Sequence, residues 1–179
     1  YDSRYQWNDR NFNANYGGLP KNVWLHITGK LYQTLPLYSN LGTTGTYIYA
    51  TDIDVAARKA VIHVESEVRN EDSHERTFFL TVVLKDKDGN KVLGFNGNER
   101  FTLLPGEPVI AKAEKEVRGL HFWSWGYGYL YMVETGLLGD GKTVDLVATR
   151  TGFRKTRFAE GKIWLNDRVM MVHGYAQRT

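Results

Sequence analysis

The chain contains no cysteine, so it can form neither a disulfide nor a thiolate metal site, and its redox compartment stays open. Long apolar runs are also missing. Every hydrophobic stretch is far too short to cross a bilayer, and nothing at the start reads as a signal peptide. A helical 3.6-residue period stands out nowhere, which argues against helical folds. Charge of one sign is lacking too: 23 Lys and Arg against 20 Asp and Glu leave a net charge of +3. The nearest approach to a basic cluster, Lys112, Lys115 and Arg118, is interrupted by Glu114 and Glu116, so neither nucleic acid nor a membrane is expected as a partner. The five histidines, His26, His63, His74, His121 and His173, show no pairing at metal-ligand spacing. No Gly-x-Ser-x-Gly elbow, Walker loop or dinucleotide fingerprint occurs. No cofactor and no metal are expected.

What is present is a globular composition. The 179 residues are 42% hydrophobic and 13% aromatic, enough for one or two domains with a sizeable core. Residues 1–18 have loop composition closed by Gly17-Gly18. Lys21 to Thr28 alternates Val23, Leu25 and Ile27 against polar neighbours, the pattern of a half-buried strand. Residues 31–45 read as a linker. Seven strand-like runs follow: Thr46–Thr51, Arg58–Arg69, Thr77–Lys85, Lys91–Phe101, Val109–Val117, Tyr129–Leu137 and Lys142–Gly152. Phe78, Leu80, Val82 and Leu84 share one face. Asp86 to Asn90 supplies a tight turn in which Asp88-Gly89 provides the positive φ. About seven short strands at this spacing suit an immunoglobulin-like β-sandwich, and the fold class is all-β.

Two constellations invite a chemical reading. Glu65 and Glu67 lie two apart on a strand and so share a face, as a glycosidase acid and nucleophile would, but the pattern favours a solvated sheet face opposite Ile62 and Val64. Asp86 and Asp88 hint at a calcium loop, yet the third oxygen position and the closing Glu are absent, leaving a hairpin. No catalytic residue is assigned.

The stretch around which the chain is organised is Leu120 to Leu138, LHFWSWGYGYLYMVETGLL, a turn feeding a buried strand. Phe122, Trp123 and Ser124, followed by Tyr129, Leu130 and Tyr131, resemble a run in the immunoglobulin-like domain of glycoside hydrolase family 2. That family includes the β-galactosidases, β-glucuronidases and β-mannosidases. Trp125 to Gly128 replaces its usual proline-containing turn. Gly152-Phe153-Arg154 is similar to the family's Gly-Phe-Arg motif. Gly161 to Val169, which contains Asn166, looks like its hairpin before the catalytic barrel. Gly17-Gly18 with Pro20 to Leu25 resembles the last strand of its jelly roll.

The resemblance implies a division of the chain. Residues 1–30 would be the end of a sugar-binding-type jelly roll, 31–45 a linker, 46–153 the immunoglobulin-like sandwich, and 154–179 the opening hairpin of a (β/α)8 barrel. Both ends then look cut from something longer, and their uncovered apolar edges are where any self-association is expected. The parent implied is a retaining β-glycosidase acting on a carbohydrate, with both catalytic glutamates beyond Thr179, so this chain is expected to be inactive. Within it, Asp2 is a candidate contact to sugar hydroxyls. Arg178 stands where the family has a pocket-lining His, a departure that separates the chain from β-galactosidase-type specificity. Such enzymes are often exported by polysaccharide degraders, while others stay cytoplasmic. The second reading is a stand-alone carbohydrate-binding or adhesion module using Trp7, Tyr16, Trp123, Trp125 and Tyr127 as stacking rings. The two differ over Trp123, which a spacer domain buries together with Tyr131.

Overall fold

The computed structural model describes residues 22–36, 42–172 and 174. The chain divides into two units, Tyr1–Ile27 with Val172–Thr179, and Thr28–Met171. Among the described residues, all the strands lie in the second unit. Seven of them build the sandwich: β2 (Thr46–Asp54), β3 (Lys59–Asn70), β4 (Arg76–Lys85), β5 (Lys91–Leu103), β6 (Pro108–Arg118), β7 (Tyr131–Gly139) and β8 (Lys142–Thr151). They lie within a few residues of the seven runs read from the sequence. The fold is all-β and immunoglobulin-like.

One sheet is built on β3, which pairs antiparallel with β6 on one side and β2 on the other. The opposite sheet has the order β5-β4-β7-β8. Strands β3 and β4 alternate over most of their length, and the inward faces of the two sheets meet in one core: Ile62, Val64 and Val68 from β3, Phe78, Leu80, Val82 and Leu84 from β4, Val133 and Leu137 from β7. The period-2 pattern thus decides which side chains are enclosed. The turn between β7 and β8 has both central residues, Asp140 and Gly141, at positive φ (50° and 74°), the geometry that matches strand twist in a two-residue hairpin. At the β4–β5 turn, Asp86 Oδ1 accepts from the amides of Asp88 (2.9 Å) and Asn90 (2.8 Å), so the carboxylate is committed to the turn.

Three features depart from the sequence reading. The expected strand at Lys21–Thr28 is not formed over its described residues. Val23, Leu25 and Ile27 are exposed, and no strand among the described residues offers them a ladder. Inside the stretch read as linker, Leu31–Gln33 forms a short strand, β1, antiparallel to the end of β3. After the sandwich comes a three-stranded meander, where a single hairpin was expected: β9 (Thr156–Ala159), β10 (Lys162–Leu165) and β11 (Arg168–Met170). β9 escaped notice because only its Phe158 and Ala159 are apolar.

Candidate functional site

The aromatic stretch forms a corner at one end of the sandwich. Tyr131, the first residue of β7, is 2% exposed, and its hydroxyl accepts a hydrogen bond from the His121 amide (2.8 Å). The contact resembles the tyrosine corner of immunoglobulin-like sandwiches, here reaching ten residues upstream to pin the loop. Burial pushes the phenol above its ordinary value, partly opposed by the His121 amide. Ser124 and Tyr127 exchange backbone hydrogen bonds (2.9 and 3.0 Å) around Trp125-Gly126, with Gly126 at φ 73°. Tyr129 stacks on His121 at 4.7 Å. The His121 ring lies between Arg58 Nη2 (2.9 Å) and the Tyr127 hydroxyl (3.0 Å).

The same corner joins the sandwich to the meander. The Trp123 amide donates to the Phe153 carbonyl (2.8 Å). Asn166 Nδ2 donates to the Trp123 carbonyl (2.9 Å), while Asn166 Oδ1 accepts from the Lys155 amide (3.0 Å). One side chain therefore bridges the loop before β7 and the chain leaving β8. It can do so because Asn166 and Asp167 occupy a two-residue turn with φ of 48° and 63°, a conformation short polar side chains tolerate. The Arg154 guanidinium lies 5.4 Å from the centre of the Trp123 ring. At Gly152 a Cβ would sit 3.0 Å from the Trp123 Cβ and 3.1 Å from the Tyr129 carbonyl oxygen, a tight fit that favours glycine. Phe153, 2% exposed, packs on Tyr131 at 5.6 Å.

The structure thus brings together Trp123, Ser124, Tyr129, Tyr131, Gly152, Phe153, Arg154 and Asn166. Trp123 is only half-buried, against the expectation that it would be largely buried as Tyr131 is. Trp125 is 79% exposed. Asp2 and Arg178 lie outside the described residues, as do Trp7 and Tyr16. Arg58 was missed. It donates to the carbonyls of Gly119 (2.8 Å) and Leu120 (3.0 Å), and its sequence neighbourhood carries no sign of that.

The outer face of β3 is not the open solvated surface expected. Glu67 is 8% exposed because the loop before β2 folds over it. Its carboxylate accepts from the Thr44 amide (2.7 Å), the Thr44 hydroxyl (2.8 Å) and Arg69 Nε (3.2 Å). Burial pushes this carboxyl up, but the Thr44 and Arg69 contacts outweigh it and hold it below its ordinary value. Glu65 pairs with Lys112 at 3.1 Å. His63 sits between the Thr51 hydroxyl (2.7 Å) and Glu114 (3.0 Å) and stacks on Tyr49 at 4.8 Å. Both glutamates on β3 are therefore engaged by the protein itself.

Comparison with known proteins gives a consistent family. The family model described as "Glycosyl hydrolases family 2" matches residues 46–154, more than half of the chain. A β-glucuronidase of Formosa agariphila is 30% identical over 173 residues, 96% of this chain and 17% of that protein. A β-galactosidase of Bacteroides ovatus is 23% identical over 158 residues, 88% of this chain and 17% of that protein. Among solved structures, a β-glucuronidase from glycoside hydrolase family 2 superposes with a TM-score of 0.75 at 29% identity, covering 84% of this chain and 15% of that one. The chain therefore spans about a sixth of the length of the curated relatives it matches, 17% of each.

Proposed function

The chain belongs to glycosyl hydrolases family 2, and on that premise we propose that it serves as a non-catalytic sandwich unit of a retaining β-glycosidase. Its task is to hold flanking parts of the enzyme in place while a carbohydrate is hydrolysed elsewhere. The observation carrying this reading is the state of Glu65 and Glu67, the carboxylate pair whose spacing resembled a catalytic one. A retaining glycosidase needs two carboxyl groups about 5 Å apart flanking a sugar, one of them free to exchange a proton. Glu67 is instead enclosed by Thr44 and Arg69, and Glu65 is paired with Lys112. The Asn166 bridge supports the positioning role, since it ties the segment leaving the sandwich to the Trp123 corner through both ends of one amide.

In this proposal residues 1–30 and 154–179 belong to the neighbouring jelly roll and barrel, and Asp2 and Arg178 contact sugar only within the larger enzyme. The exposure of Val23, Leu25, Ile27 and Phe158 supports the flanking segments as the route of any self-association. The test is turnover of aryl β-glucuronides and aryl β-galactosides by the purified chain. No turnover above the uncatalysed rate is expected. Turnover that disappears in a Glu65→Gln, Glu67→Gln double variant would overturn the reading.

A further inference from the structure

Along the edge formed by β2 and the end of β8 the two sheets part, leaving a groove of about 730 Å³ between Tyr47–Ile53 and Gly152–Thr156. Among the described residues β2 pairs with β3 alone, so the peptide groups on its other side face this opening. The edge is not shaped for another strand. Its register breaks between Thr51 and Asp54, and Asp52 stands at φ 49° within that bulge, interrupting the flat run a pairing strand would require. A ligand with scattered hydroxyl groups has no such requirement.

The side chains at the groove point to the class. Tyr47 is 61% exposed and stacked on Tyr49 at 5.1 Å, so one face of its ring is covered by a neighbour and the ring is held in place without burial. An immobilised, exposed aromatic ring suits the C–H face of a pyranose. Asp52 is exposed and offers a carboxylate to hydroxyl donors. Lys155 is neutralised by Asp167 at 2.7 Å. Arg154 is exposed, oriented by the Trp123 ring, and has no carboxylate partner among the described residues. An exposed guanidinium held beside an aromatic ring is suited to a planar carboxylate.

We propose that this groove binds a carboxylated saccharide, the uronate carboxylate pairing with Arg154 and a sugar ring lying against Tyr47. The choice of a saccharide rests on the reading of the chain as part of a glycosidase. The two remain separable, since failed binding leaves the turnover result untouched and turnover leaves the titration untouched.

The test is a calorimetric and amide-NMR titration of the full chain with a hyaluronan tetrasaccharide, which carries glucuronate, and with neutral cellotetraose. The expected result is binding of the hyaluronan fragment that weakens with added salt, with shifts clustered at Tyr47–Ile53 and Gly152–Thr156. Cellotetraose should bind about tenfold more weakly or not at all. Tyr47→Ala and Arg154→Gln should each weaken uronate binding about tenfold. Because Arg154→Gln removes a group that packs on Trp123, Tyr47→Ala decides the matter if the Arg154 variant unfolds. No binding, equal affinity for the two sugars, or affinity unchanged by Tyr47→Ala would each overturn the proposal.

Discussion

The two ends of the sandwich are closed by different physics. At the corner, aromatic rings do most of the covering, and Asn166 adds hydrogen bonds to main-chain groups that remain partly accessible. At the opposite end Gln33 is 3% exposed and ties the two sheets together through its side-chain amide. Its Nε2 donates to the Thr135 carbonyl (2.9 Å) and to Asp145 (3.2 Å) in one sheet. Its Oε1 accepts from Ser66 (2.9 Å) in the other. Where the rings are partly exposed, as Trp123 is, the closure tolerates the loss of a contact by letting neighbours or water fill in. A closure made of enclosed polar groups does not, because each abandoned partner keeps its desolvation cost.

The largest effect should come from a corner ring that belongs fully to the core. Tyr131→Ala should cost about 3–5 kcal/mol in denaturant unfolding, since it leaves a cavity beneath Phe153 and frees the His121 amide. Half-buried Trp123→Ala should cost clearly less. A reversal of that order would show that the corner is held by Trp123 and not by the tyrosine. Next comes Gln33→Ala, at about 2–4 kcal/mol, because Ser66 and Thr135 lose a buried partner without gaining water. A loss under about 0.5 kcal/mol would erase the contrast between the two ends. Asn166→Ala should cost about 1–2 kcal/mol, and its proteolysis pattern should show earlier cleavage in β9 to β11 than in the sandwich. Uniform cleavage would count against the bridge.

A pH scan sharpens the same contrast at the polar end. Glu67 has its folded value held below the ordinary one of about 4.5, so its contribution is complete above the unfolded value. It is lost as pH falls through the folded value. Stability should therefore drop below about pH 4.5, and Glu67→Gln should flatten that part of the profile. An unchanged slope would mean that Thr44 and Arg69 do not favour the ionised form. The smallest effect is expected at Tyr47→Ala, within about 0.5 kcal/mol of wild type, because the ring is largely exposed.

Strand alternation, turn residues and glycine placement were legible in the chain because they are local. A period of two and a residue able to take positive φ act over a few positions, whatever else the protein does. They are enough to identify the seven sandwich strands, the buried faces of β3 and β4, and the turn around Gly126. The Gly-Phe-Arg and Leu-Asn stretches were legible only through the family resemblance; in the structure Gly152 lies close beside the Trp123 Cβ and Asn166 adopts a left-handed turn. Few residue types can do either.

Polar residues gave no such signal, because their fate depends on what folds over them. Gln33 lies in a stretch with linker composition, and only its meeting with Ser66, Thr135 and Asp145 makes it an internal tie. Glu67 alternates as an outward residue and does point outward, but the loop carrying Thr44 covers it. Trp123 has the residue type of a core position and is left half-covered, with the exposed Arg154 as one of its neighbours. Lys21–Thr28 has the alternation of a strand, yet a strand exists only where a second one accepts its hydrogen bonds. Hydrophobic periodicity is a property of a segment. Burial of a polar group and pairing of an edge are properties of two segments at once, so only the tertiary structure decided them.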